Sequence, residues 1–152
     1  MADGSLPQAQ MLAAEPAAAA VLPPVPPPVT LVPPLPPVPV RLIFADLLAT
    51  AADGSLRWER LRPGVEIARL YATPDGGPTA ALLRYAAGAR LARHEHTGFE
   101  HIYVLCGSQV DDSGEHRAGA LLIHGPGTSH TISSKHGCIV LAIWERPVRF
   151  LE

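Results

Sequence analysis

Gly88-Ala89-Arg90-Leu91-Ala92-Arg93-His94-Glu95-His96-Thr97-Gly98-Phe99-Glu100-His101-Ile102-Tyr103-Val104-Leu105-Cys106-Gly107 is the stretch on which the reading of this chain turns. Residues two apart on a strand face the same way, so His94 and His96 project together from a strand over Leu91 to His96. Glu100 lies just past the Thr97-Gly98 hinge and can turn back toward the same face. A carboxylate beside two neutral imidazoles is a hard anionic ligand for a divalent cation. The alternative is an exposed hairpin whose polar groups hydrogen-bond to water, and an H-x-H pair alone does not decide between them.

Working outward, short apolar runs alternate with turn residues. Val65 to Ala72, Thr79 to Ala86, Leu91 to His96 and Phe99 to Cys106 read as strands, the last closed by Gly107-Ser108. Asp111-Asp112-Ser113-Gly114 is a tight turn, and Ala118 to His124, Ser129 to Ser133 and Cys138 to Glu145 complete the set. Arg41 to Leu48 reads as an edge strand or a short helical turn packed on the rest. Many short strands punctuated by Gly and Pro, with no long helix, predict an all-β sandwich or barrel.

The two ends of the chain differ in kind. Twelve of the 17 prolines precede position 41, and all 7 histidines fall between His94 and His136. Residues 1–39 read as a disordered, polyproline-II-like tail, and residues 40–152 as one folded domain. The paired prolines from Pro23 to Pro37 break every helix that might span a membrane, and no Lys or Arg precedes them as a secretory leader requires. A net charge of −2 offers no basic surface for nucleic acid. The 2 cysteines, Cys106 and Cys138, form no C-x-x-C pair and fit a reduced, cytoplasmic protein.

Five residues separate Gly88 from His94 and six separate Glu100 from Gly107. This frame resembles the first motif of the cupin family, G-x5-H-x-H-x3-E-x6-G, with every defining position filled. Gly119 through Gly125-Pro126-Gly127-Thr128-Ser129-His130 resembles the second motif. There the family's usual proline stands one place later, at Pro126, and Ser134 replaces a frequent asparagine. Trp58, Arg62-Pro63-Gly64-Val65, Gly98-Phe99-Glu100, Val104-Leu105-Cys106-Gly107 and His136-Gly137-Cys138 are similar to the ChrR-like cupin subgroup. The resemblance spans about Val40 to Glu152.

It implies a small jelly-roll β-barrel, usually a homodimer, with one divalent metal ion per chain held by His94, His96, Glu100 and His130. Glu100, Ile102 and Val104 would face inward, and His101, Tyr103 and Leu105 outward. His101, His116, His124 and His136 are not expected among the ligands, although one can orient a ligand or substrate from behind. The ligand set admits iron(II) or zinc(II) foremost, and manganese(II) or nickel(II) as well.

Two functions follow from the resemblance. One is a metal-dependent dioxygenase acting on a small carbonyl or diketone compound, with no general base assignable. The other is a non-catalytic sensor that binds a metal or metabolite. In ChrR-type anti-sigma proteins such a cupin follows a helical zinc-binding domain that needs His and Cys ligands. Residues 1–93 contain neither, so anti-sigma activity is not carried over.

Overall fold

The computed structural model describes residues 41–151. The expected disordered tail, residues 1–39, lies outside them. One short helix, α1 (Leu47–Ala52), precedes ten strands: β1 (Glu59–Arg62), β2 (Val65–Ala72), β3 (Thr79–Tyr85), β4 (Ala89–Glu95), β5 (Glu100–Asp111), β6 (Gly114–Arg117), β7 (Leu121–His124), β8 (Ser129–Ser134), β9 (Cys138–Trp144) and β10 (Arg149–Phe150). Every pairing is antiparallel, in the order β1-β2-β3-β9-β5-β8-β4-β10, with β6 and β7 also on β5. This is the curled all-β sheet of a jelly-roll barrel.

The inner face carries Val65, Leu83, Ile102, Val104, Ile132 and Val140, all buried. A fully buried Leu or Ile contributes about 1.5–3 kcal/mol, so this face supplies much of the driving force for curling the sheet. On the outer face, α1 lays Leu47 and Ala51 over Ala68 and Leu82. The region expected as a strand or helical turn is thus helical from Leu47, capped by Asp46 Oδ1 accepting the Ala49 N–H at 2.9 Å.

β5 is longer than the turn residues suggested. Gly107-Ser108 does not end it: the strand is irregular between Val104 and Cys106, bends at Gly107 with φ +72°, and continues to Asp111. A Cβ at Gly107 would collide with the Gly137 carbonyl oxygen, so only glycine lets the two hairpins cross here. The first half of β5 pairs with β9 and β7, and the second half with β6 and β8. The strand expected from Ala118 begins only at Leu121, as β7, because Ala118 to Ala120 turn against Val104 and Gly107, while β6 lies before the expected stretch.

A second irregularity sets the site. Along β4, Ala89 and Leu91 point inward, and simple alternation would next bury Arg93 and expose His94. The register against β8 slips between Leu91 and His94, so Ala92 and Arg93 both face solvent and His94 turns in. This bulge puts His94 and His96 inside the barrel.

Candidate metal centre

His94, His96, Glu100 and His130 are all buried, and one donor atom from each lies within 4.8 Å of the other three. Their convergence follows from register. His94 on β4 is directly opposite His130 on β8. His96 continues the pairing past the strand end, through its N–H to the Thr128 carbonyl and its own carbonyl accepting the Gly127 N–H. Glu100 opens β5 between Trp144 on β9 and His124 on β7. Gly98 makes the return possible, since a Cβ there would press on Glu145 and Arg146.

The hydrogen bonds fix which nitrogens face the centre. His94 Nδ1 lies 3.1 Å from the Ala92 carbonyl, which only accepts, so Nδ1 carries the proton and Nε2 a lone pair. The Thr128 hydroxyl donates to the Gly125 carbonyl at 2.7 Å and therefore accepts from His96 Nδ1 at 2.9 Å. His96 Nε2 is again a lone pair. The Trp144 indole N–H donates to Glu100 Oε1 at 2.5 Å, which leaves Oε2 facing the imidazoles.

His96 Nε2 and Glu100 Oε2 then stand 3.0 Å apart, both acceptors, both buried and neither with a hydrogen-bond partner. Two facing acceptors repel unless a cation lies between them. His130 Nε2 is 3.0 Å from His94 Nε2 and 3.6 Å from Glu100 Oε2. Donors about 2.1 Å from one ion and at right angles to each other would be about 3.0 Å apart. The four residues thus fit a divalent metal ion.

Electrostatics agrees. Burial pushes His94 below its usual value, and burial with the neighbouring His94 pushes His130 down to about 4. Both are neutral at pH 7, as metal ligands must be. Burial raises the Glu100 carboxyl, but in the metal-free protein a proton on His96, His94 or His130 outweighs it and holds Glu100 below its ordinary value.

A cavity of about 290 Å³ reaches this cluster at His94 and Glu100. Its walls include Leu61, Ile67, Leu83, Leu91, Ile132 and Phe150. Arg69, paired with Glu59 at 2.8 Å, and Thr79 add polar groups to the lining. Phe150 on β10 lies tilted against His94, ring centroids 5.6 Å apart, and the Arg62 guanidinium covers its ring at 4.4 Å. Tyr85 also borders the cavity, and burial pushes its phenol far up, so it stays protonated.

Sequence reasoning assigned no role to Trp144 or Thr128, which orient Glu100 and His96. Nor did it single out His124 among the four histidines not expected as ligands, although its ring stacks on His96 at 4.8 Å and meets His130 at 4.3 Å. Strand pairing was the missing signal: His124 and Trp144 flank Glu100 only once β7 and β9 are known to bracket β5. His101 stays on the outer face as expected, and His116 lies behind the cluster, against Asp111 at 2.9 Å.

The ChrR Cupin-like domain family model matches residues 48–147, and the chain belongs to that family. It is similar to the structure of an RmlC-like cupin from Ralstonia eutropha, at 26% identity over 66% of this chain and 70% of that one, TM-score 0.59. It is similar to the structure of Rhodobacter sphaeroides SigE in complex with the anti-sigma ChrR, at 27% identity over 70% and 68%, TM-score 0.55. It shares the fold of an acetylacetone dioxygenase from Acinetobacter johnsonii, at 16% identity over 62% and 72%, TM-score 0.58. No curated protein matches the chain. Among the described residues no helix is long and apolar enough to cross a membrane.

Proposed function

We propose that the chain holds one divalent ion through His94, His96, Glu100 and His130 and acts as a dioxygenase on a small, largely apolar carbonyl or diketone compound. The observation that carries this reading is the apolar cavity of about 290 Å³ that reaches the ligand cluster at His94 and Glu100. Its volume lies at the small end of ligand pockets, which suits a compound of few heavy atoms. When bound, such an ion supplies Lewis acidity toward a carbonyl or enolate oxygen and, if iron(II), a route for electrons to dioxygen. The chain's own groups do the rest. Leu83, Leu91 and Phe150 exclude water, Trp144 and Thr128 fix the ligand orientations, and Arg69 offers a charge to a polar substituent.

The similarity to the anti-sigma ChrR structure favours a second reading, a cupin that binds its ligand and signals through a partner. A homodimer belongs to either reading. Leu121 and Ile123 on β7, beside Tyr103 and Ile143, form an exposed apolar strip suited to a second copy. The free thiols of Cys106 and Cys138 suit a cytoplasmic setting.

Metal content of protein purified without chelators, beside His96→Ala and His130→Ala, tests the proposal. The expected result is about one iron per chain, lost in both variants, with oxygen consumed on adding acetylacetone. Tightly held zinc with no oxygen uptake on a panel of diketones would overturn the enzyme in favour of the sensor. Absence of metal from every sample would overturn the centre itself.

A further inference from the structure

Behind the four-residue cluster lies a second convergence of donors. Asp111 at the end of β5, His124 on β7 and His130 each place one donor atom within 4.8 Å of the other two. His130 faces the first cluster through Nε2, while its Nδ1 is buried and has no hydrogen-bond partner. The nearest carboxylate oxygen to that nitrogen is Asp111 Oδ2, at 3.7 Å, too far for a hydrogen bond. His124 Nε2 is also buried and unpartnered.

Asp111 is held ready by its other oxygen. Oδ1 accepts from the Ser113 N–H at 2.8 Å, the Ser113 hydroxyl at 2.6 Å and His116 Nε2 at 2.9 Å. Burial would raise this carboxyl, but those contacts hold it ionised well below its usual value. Oδ2 receives no comparable bond and faces His130.

We propose that Asp111, His124 and His130 Nδ1 form a second divalent-cation position, sharing the His130 ring with the first. The inference rests on the four-residue reading only in that shared ring. Filling both positions removes the Nδ1 proton of His130 and releases it to solvent. The lost proton and the Asp111 carboxylate face the second ion with two negative charges, and because Asp111 is already ionised the barrel interior gains one positive charge. Two imidazole nitrogens and one carboxylate suit zinc(II) or copper(II).

The test is zinc(II) titration of chelator-treated full-length protein, beside Asp111→Asn and His124→Gln. Two equivalents per chain are expected, and both variants should keep the tight one while binding the second at least about tenfold more weakly. Copper(II) loaded to two equivalents should lose much of its electron paramagnetic resonance signal through coupling across the His130 ring. One equivalent in the wild type would overturn the second position and leave the first standing. A second equivalent indifferent to both substitutions would assign it to surface histidines and overturn the proposal. Weakening of the tight equivalent by Asp111→Asn, with no second equivalent, would overturn it too and make Asp111 a residue that orients His130. Failure to bind any zinc would remove both positions.

Discussion

On one side of the histidine cluster, β2, β3 and β10 turn Ile67, Leu83 and Phe150 around about 290 Å³ of space. On the other side, β5, β6 and β7 turn Asp111, His116 and His124 inward, where His116 bonds Asp111 and His124 packs against His130. The two regions share one barrel and one rule of alternation. Apolar walls carry no directional demand and can leave a hollow, whereas buried polar groups need partners, which Asp111 Oδ1 has and His124 Nε2 and His130 Nδ1 lack. The same four side chains can therefore meet a ligand on one side and be braced on the other.

The largest effect that would sharpen this contrast comes from the apolar side. Ile102→Ala, at a position 1% exposed, should cost about 2–5 kcal/mol of stability. Metal content should stay at the wild-type level, as read by elemental analysis beside a urea melt. Loss of metal there would show that the two sides are not separable.

Acidification probes the polar side. With His130 at about 4 in the folded protein and about 6.5 unfolded, the unfolded chain binds the extra proton between those values. His94 and His124 are lowered as well, chiefly by burial. Stability of the chelator-treated protein should therefore fall as pH drops from about 6.5 to about 4. A melting temperature flat across that window would mean that these rings are solvated.

Trp144→Phe tests the bracing at its smallest unit. It keeps the ring and removes the N–H that holds Glu100 Oε1. Metal affinity should fall about 10–100-fold, measured by chelator competition, although Trp144 also lines the cavity and its wall is trimmed there. Ser113→Ala should matter least, at about 1 kcal/mol, by removing one hydroxyl from Asp111. A larger loss would mean that Asp111 is the main strut of the polar side.

The motif glycines and the His94, His96, Glu100 spacing made the fold legible, and strands such as Val65–Ala72 and Cys138–Trp144 stood out through their turn boundaries. Inward placement of Glu100, Ile102 and Val104 also followed from alternation. His130 entered only through family resemblance, because no local pattern ties it to residues 36 positions earlier. Asp111, His124 and Trp144 were assigned to a turn and to strands, but not to the site. Their role depends on which strands lie beside β5, and a one-dimensional pattern does not contain that. The continuation of β5 through Gly107 was hidden for a related reason: glycine marks a chain end and a strand crossing with the same letter.

The bulge at Ala92-Arg93 also sets a kind of reading frame for the strand. Were the bulge ironed flat with both residues kept, every histidine would remain in the sequence, yet His94 and His96 would rotate to the outside and Arg93 would come in. Deleting either residue would instead pair Leu91 and His94 in regular alternation and leave both histidines facing inward. The frame is thus held by the conformation of one extra residue as much as by chemistry.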